Sequence, residues 1–311
     1  MDASPAATST GPGLFETSSF EFHGSRLAYE VHGEGDRVFV YIHGLLMDSG
    51  MNRALAQSLA ARGHRVVLLD LLGHGRSDKP LRASSYRMDA YAEEVVALLD
   101  HLDVERAVIG GVSLGADVSL HVAVAAPERV QALVIEMPVL EWAVPAAALL
   151  FTPLLLMMHY ASGPAGFLTR QFARLPRTSN ALVNSLLDTA SSSPEVVKAI
   201  LHGILVGPVA PTVEERAAIT VPTLVIAHTR DLIHPFSDAE ALVELLPRAR
   251  LESAQSMLEL RLGPDRLTGQ IASFADDAWS DSLTVKPAKA VKAAKPRKTT
   301  NATTVKRVTS S

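Results

Sequence analysis

The sequence predicts an α/β fold: a doubly wound, mostly parallel sheet with an inserted helical cap. Two observations carry this. Short, near-continuously apolar and β-branched runs, RVFVYI (37–42), RVVLLD (65–70), RAVIGG (106–111), ALVIEM (132–137) and TLVIA (223–227), look like strands buried on both faces. Between them lie segments with apolar residues at three- and four-residue spacing, and strand alternating with helix implies right-handed crossovers.

Taken in order, the start MDASPAATSTGPGLFETSS has neither a basic nor an apolar signal region, so it reads as a disordered leader over 1–18 and a cytoplasmic location is expected. SFEFHG and RLAYEVHG alternate apolar with polar, as an edge hairpin would. MNRALAQSLAARG (51–63), MDAYAEEVVALLDHL (88–102) and SLGADVSLHVAVAAP (113–127) are the crossover helices of a core assigned to 19–138 and 221–280. The rhythm breaks over 139–220, where GFLTRQFARL, NALVNSLLDTA and PEVVKAILHGILV have helical period and no strand candidate stands among them: this is the cap. Its first stretch, AVPAAALLFTPLLLMMHY, reaches the length of a spanning helix, but two prolines interrupt it, and it is read as a buried or lid helix pair. After TLVIA, Ser237 with Glu240 predicts a capping box; a short strand ARLESA and a helix from Pro264 to Trp279 close the core.

Composition narrows the chemistry. Apolar residues make up 48% of 311, enough for a substantial core, and the absence of cysteine excludes disulfides, thiolate metal sites and a cysteine nucleophile. Of 29 Lys/Arg, eight fall between Ser282 and Ser311 with no acid among them, leaving the remainder at a net charge of −12. Residues 281–311 are expected to be a disordered basic tail, either a solvated extension or a weak dock for an anionic partner, nucleic acid or acidic membrane.

Gly111-Val112-Ser113-Leu114-Gly115 is the strongest functional signal, because it follows an apolar strand and opens a helix. A serine on so sharp a turn needs small residues two before and two after it, and the helix that follows points its N–H groups at the reacting centre. His43-Gly44-Leu45 follows another strand, where a backbone N–H can pair with that of Leu114 as an oxyanion hole.

With YIHGLL (41–46), DLLGHGRSDKP (70–80), GVSLG (111–115), the interrupting cap and PTLVIAHTRD (222–231) in that order, the chain resembles the α/β-hydrolase superfamily from about Phe20 to Trp279. The resemblance implies Ser113 as nucleophile, Leu45 and Leu114 as oxyanion donors, and loop-organising roles for His43 and His74. It also implies the chain order serine, acid, base, with Asp231 as the acid and Glu136 as its alternative. A nucleophilic serine sets the chain apart from the aspartate-using dehalogenase and epoxide-hydrolase branches.

The resemblance fails at the base. Family members carry Gly-His after the last strand, whereas here Met257 and Glu259 stand nearest the expected position, and the last of 11 histidines is His234. Glu259 would need its pKa raised towards neutrality, and Met257, Leu258, Leu260 and Leu262 are expected to pack under the cap. His234, three residues after Asp231, preserves chain order but stands on the acid's own loop. His228, Asp231 and His234 also form H-x-x-D-x-x-H, a weak metal pattern on a loop; no metal or organic cofactor is implied. Two functions therefore stay open: a serine hydrolase cleaving a small-to-medium hydrophobic ester through an acyl-enzyme, or a weak or inactive hydrolase-fold protein that binds a hydrophobic ligand or partner. The apolar cap, with no Lys/Arg between Arg129 and Arg170, suits an acyl chain or ring in either case.

Overall fold

A computed structural model of the chain describes residues 8–9, 15–231 and 233–280. Nine strands form one sheet: β1 (Thr8–Ser9), β2 (Phe15–Phe22), β3 (Ser25–His32), β4 (Val38–Ile42), β5 (Arg65–Asp70), β6 (Ala107–Val112), β7 (Val130–Glu136), β8 (Thr223–Ala227) and β9 (Ala249–Ser253). Their order is β1-β2-β3-β5-β4-β6-β7-β8-β9; β1 to β3 join antiparallel at one edge and every pairing from β5 to β9 is parallel. The strand order reverses at β4, between β5 and β6, and the carboxyl ends of β4 and β6 there open the crevice where α/β sheets bind ligands.

Eleven α-helices are described: α1 (Arg53–Ala60), α2 (Met88–His101), α3 (Leu114–Ala125), α4 (Ala143–Tyr160), α5 (Ser162–Ala173), α6 (Ala181–Ala190), α7 (Pro194–Val206), α8 (Val213–Ala217), α9 (Phe236–Leu245), α10 (Glu259–Leu262) and α11 (Asp265–Trp279). The strands β4 to β8 are mostly apolar on both sides because both their faces are covered. One face packs under α2, α3 and α9 through residues such as Tyr91, Leu98, Val118 and Leu242. The other packs on α1 and α11 through Leu55, Leu59, Ile271 and Phe274.

Three expectations are corrected here. The leader is shorter than residues 1–18, since β2 begins at Phe15 and β1 pairs with it; Phe15 stacks on His32 under the guanidinium of Arg53, which anchors the edge. The other leader residues and the tail 281–311 lie outside the described residues. The expected helix pair over 143–160 is one continuous helix, largely exposed. Pro145 falls in its first turn, where no N–H has an intrahelical acceptor, and only Pro153 withholds an internal hydrogen bond. The Ser237 capping box is absent: α9 already starts at Phe236, so Ser237 lies inside it.

The next residue, Asp238, serves a different helix. Fully buried, its carboxylate accepts hydrogen bonds from the backbone N–H groups of Leu140, Trp142 and Ala143 at 2.9–3.1 Å, satisfying donors that the start of α4 leaves free. The cap is thereby tied to α9, the helix that follows His234.

A second buried carboxylate, Glu94 on α2, accepts from the N–H of Leu72 at 3.0 Å and pins the loop after β5. Burial pushes its pKa up to about 8, against an ordinary 4.5. A folded-state pKa above the free value favours folding fully below pH ~4.5, and that contribution is lost as pH rises to about 8. Glu94→Gln keeps the acceptor for Leu72 without the titration. Its unfolding free energy, measured by denaturant titration, should exceed wild type by a margin that grows from pH 5 to pH 8, with about 1.4 kcal/mol per pH unit as the ceiling. A margin independent of pH would contradict this.

Candidate active site

Ser113 follows β6 at φ 53° and ψ −112°, a strained conformation for a residue with a side chain. Its neighbours show why two glycines surround it. A Cβ on Gly111 would stand 2.5 Å from the carbonyl carbon of Gly115, and one on Gly115 only 2.4 Å from the carbonyl oxygen of Ile42. The start of α3 thus sits directly against the end of β4. The N–H of Ser113 is satisfied by the Glu136 carbonyl at 2.9 Å.

His234 Nε2 lies 2.9 Å from Ser113 Oγ, and its Nδ1 lies 2.9 Å from Asp231 Oδ2. With Nδ1–H donating to the carboxylate, Nε2 is left to accept from the serine hydroxyl. Asp231 Oδ1 also accepts the N–H groups of Ile233 and His234, at 2.8 and 3.0 Å, so the same carboxylate folds the loop and orients the imidazole. Burial opposes charge on Asp231, but the hydrogen bonds from His234 and the loop outweigh it and hold its pKa below the ordinary range. Carboxylate and imidazole therefore come from one loop after β8.

The other sequence-derived candidates fall into two groups. Leu45 and Leu114 line one cavity with Ser113, Gly44 and His234. Leu114 is the first residue of α3, so its N–H has no intrahelical acceptor. His43 is buried, and its Nδ1 donates to the Gly44 carbonyl at 2.9 Å while Nε2 accepts from the N–H of Leu71 at 3.1 Å; burial lowers its pKa and that of His74, whose Nδ1 donates to the Leu72 carbonyl. Both histidines brace loops. Glu259 is turned away and bound by Arg266 and the N–H of Gln255; although burial works against it, these bonds lower its pKa, the wrong direction for a base. Of the apolar residues expected to pack under the cap, Met257 and Leu258 do line the cavity. Leu260, however, is buried in the core beside α11 and Leu262 is exposed, because the last turn is a short helix, α10, with its own inner and outer sides.

Glu136, the alternative acid, is engaged elsewhere. Tyr41 donates its hydroxyl to Glu136 Oε2 at 2.5 Å, and Arg261 Nη1 pairs with Oε1 while Nη2 reaches Asn52 Oδ1 at 3.1 Å. All four side chains are buried. The loop that holds no histidine thus supplies a cation to the end of β7. Sequence reading missed this pair, although an acid inside ALVIEM and an arginine inside MLELRL each needed a buried partner. Beside Ser113 and His234, Arg261 and Asp117 are the polar side chains of an otherwise apolar cavity of about 570 Å³, walled by Met51, Val112, Phe151 and Leu201 among others. Burial pushes the Asp117 carboxyl well above its usual range. Among the described residues no group of three His, Asp or Glu side chains is arranged to hold a metal.

A family model of the alpha/beta hydrolase fold matches residues 37–256. The chain belongs to this family. A relative named "Putative carbamate hydrolase RutD" from Caulobacter sp. (strain K31) is 30% identical over 244 residues, 73% of this chain and 87% of its own. The dihydrolipoyllysine-residue acetyltransferase component of the acetoin cleaving system of Pseudomonas putida is 43% identical, but over 105 residues, 34% of this chain and only 28% of that protein. Among solved structures, a hydrolase from Pseudomonas aeruginosa PA01 superposes with a TM-score of 0.68 at 23% identity, covering 83% of this chain and 97% of that one. For the acetyltransferase component and three further relatives, the match spans 28–32% of the relative's own length.

Arg261 generates a stability prediction. Arg261→Met leaves Glu136 buried without its cation and should cost about 3–5 kcal/mol, whereas adding Glu136→Gln should recover most of the loss. Denaturant unfolding of the single and double variants measures this, and equal losses in both would show that the pair is not coupled.

Proposed function

We propose that the protein is a serine hydrolase that cleaves a small-to-medium hydrophobic ester through an acyl-enzyme, with Ser113 as nucleophile, His234 as base and Asp231 as acid. The observation that carries this reading is the unbroken chain of 2.9 Å contacts from Asp231 through His234 to Ser113. His234 Nε2 takes the hydroxyl proton as Ser113 Oγ attacks the acyl carbon. The carbonyl oxygen gathers negative charge, and the N–H groups of Leu45 and Leu114 stabilise it. Collapse of the tetrahedral intermediate expels the alcohol, which leaves with the proton from His234. Water then attacks the acyl carbon while giving a proton to the same nitrogen, and the second tetrahedral intermediate releases the acid as His234 returns that proton to Ser113 Oγ. Asp231 stays ionised and steadies the imidazolium.

The apolar cavity supports the substrate class: it offers a bound acyl chain or ring burial from water and few polar partners to a charged metabolite. The Caulobacter relative is named for carbamates, whose carbonyl is attacked by the same chemistry, so short carbamates belong in the same trial.

Turnover of p-nitrophenyl esters of increasing chain length tests the reading. Ser113→Ala and His234→Ala should each lower kcat by about 10³-fold or more, and Ser113→Ala alone should abolish labelling by a fluorophosphonate. Full turnover in His234→Ala would assign the base elsewhere. A wild type that neither labels nor turns over would leave a hydrolase fold that binds a hydrophobic ligand without cutting it.

A further inference from the structure

We propose that the outer face of α4 and α5 is a docking surface for an anionic lipid bilayer. The inference is independent of the catalytic reading, since it rests on the opposite side of α4. That helix is apolar in both directions. Val144, Ala147, Ala148 and Phe151 line the cavity, as a lid helix requires. The other side carries Trp142, Leu149, Leu156 and Tyr160, at helical spacing and 67%, 79%, 48% and 81% exposed. The whole of Ala143–Tyr160 has a mean hydropathy of 1.6, yet only Ala143 and Met158 are buried. On α5, Phe167 and Leu168 extend the exposed apolar surface, each 56% exposed. So large an apolar surface marks an interaction site rather than ordinary scatter.

The kind of partner follows from the charges and the ends. Between Glu141 and Asp188 there is no acid, and the charged side chains are Arg170, Arg174 and Arg177, all exposed, with Arg177 paired to Asp188. Glu141 and Asp188 at the margins are already paired, to Arg216 and Arg177, and Glu195 is the exposed acid beside Arg170. An apolar face flanked by Arg170 and Arg174 matches a surface of acyl chains under anionic head groups. Trp142 and Tyr160, at the two ends of α4, are the residue types that settle at that boundary. A second copy of the chain fits less well, because a two-fold contact would bring the arginine rims of both copies together. The helix lies along the surface rather than crossing the bilayer: its inner side walls the cavity and packs on α7, and Asp238 holds its first turn. The eight basic residues after Ser282 carry the same sign of charge.

Flotation of the full-length protein with vesicles tests this, using phosphatidylcholine alone or mixed with phosphatidylglycerol. Wild type should float with the mixed vesicles, and its tryptophan emission should shift to the blue through Trp142, a shift lost in Trp142→Phe. Leu149→Glu with Leu156→Glu should weaken partition at least ~10-fold while leaving the circular dichroism spectrum and any soluble-ester turnover unchanged, as neither residue lines the cavity. Three results would overturn the proposal. Wild type could stay unbound. The double variant could float as well as wild type, which would assign binding to the basic tail. Or light scattering could find a wild-type dimer that the double variant splits, with no response to vesicles.

Discussion

Everything at the carboxyl edge of the sheet depends on how one imidazole is held. His234 has a partner at each ring nitrogen, a carboxylate at Nδ1 and a hydroxyl at Nε2, both at 2.9 Å. The contact to the hydroxyl could not form without the strained turn that raises Ser113 above β6, and that turn survives only because Gly111 and Gly115 let α3 press against β4. Nor could it form without Asp231, which spends one oxygen on the loop backbone and the other on the ring. The short spacing between carboxylate and imidazole is thus an advantage: the loop fold and the orientation of the imidazole are one set of hydrogen bonds, and they cannot drift independently. The same segment then enters α9, where Asp238 grips the first turn of the cap, so the catalytic edge and the lid share a mechanical origin.

The position that would ordinarily carry the base has been given other work. Met257 and Leu258 extend the apolar wall of the cavity, and Arg261 neutralises Glu136, the carboxylate at the end of β7. A buried carboxylate with no cation would be costly there, and it would also compete for any imidazole nearby. Pairing it with Arg261, with Tyr41 on its other oxygen, removes that competition and leaves Asp231 as the carboxylate that faces His234.

Much of this was legible from residue order. Continuous apolar runs gave the buried strands, because a strand covered on both faces needs no alternation, and Gly-x-Ser-x-Gly between strand and helix gave the elbow, because only small residues fit there. Asp231 and His234 could be nominated but not joined: whether an imidazole three residues on reaches across to Ser113 depends on the loop's path, which no periodicity encodes. Pro145 and Pro153 suggested a break in α4, yet a proline in the first turn is harmless and one inside a long helix is tolerated. Composition also could not say that α4 turns one apolar side to the cavity and the other to solvent, since both sides read alike. Asp238 and Arg261 were missed for a related reason. Their partners are far apart in sequence, and each was visible only as a charge in an apolar setting.

The proposed assignment of His234 as base, on the same loop as Asp231, is open to test through the pH dependence of Ser113 phosphonylation. Labelling rates with a fluorophosphonate, followed as a function of pH, report deprotonation of whichever group takes the serine proton. Wild type should rise through a single ionisation to a plateau, and His234→Ala should label slowly and without that step. A His234→Ala protein that keeps the wild-type profile would contradict the account and place the base outside this loop.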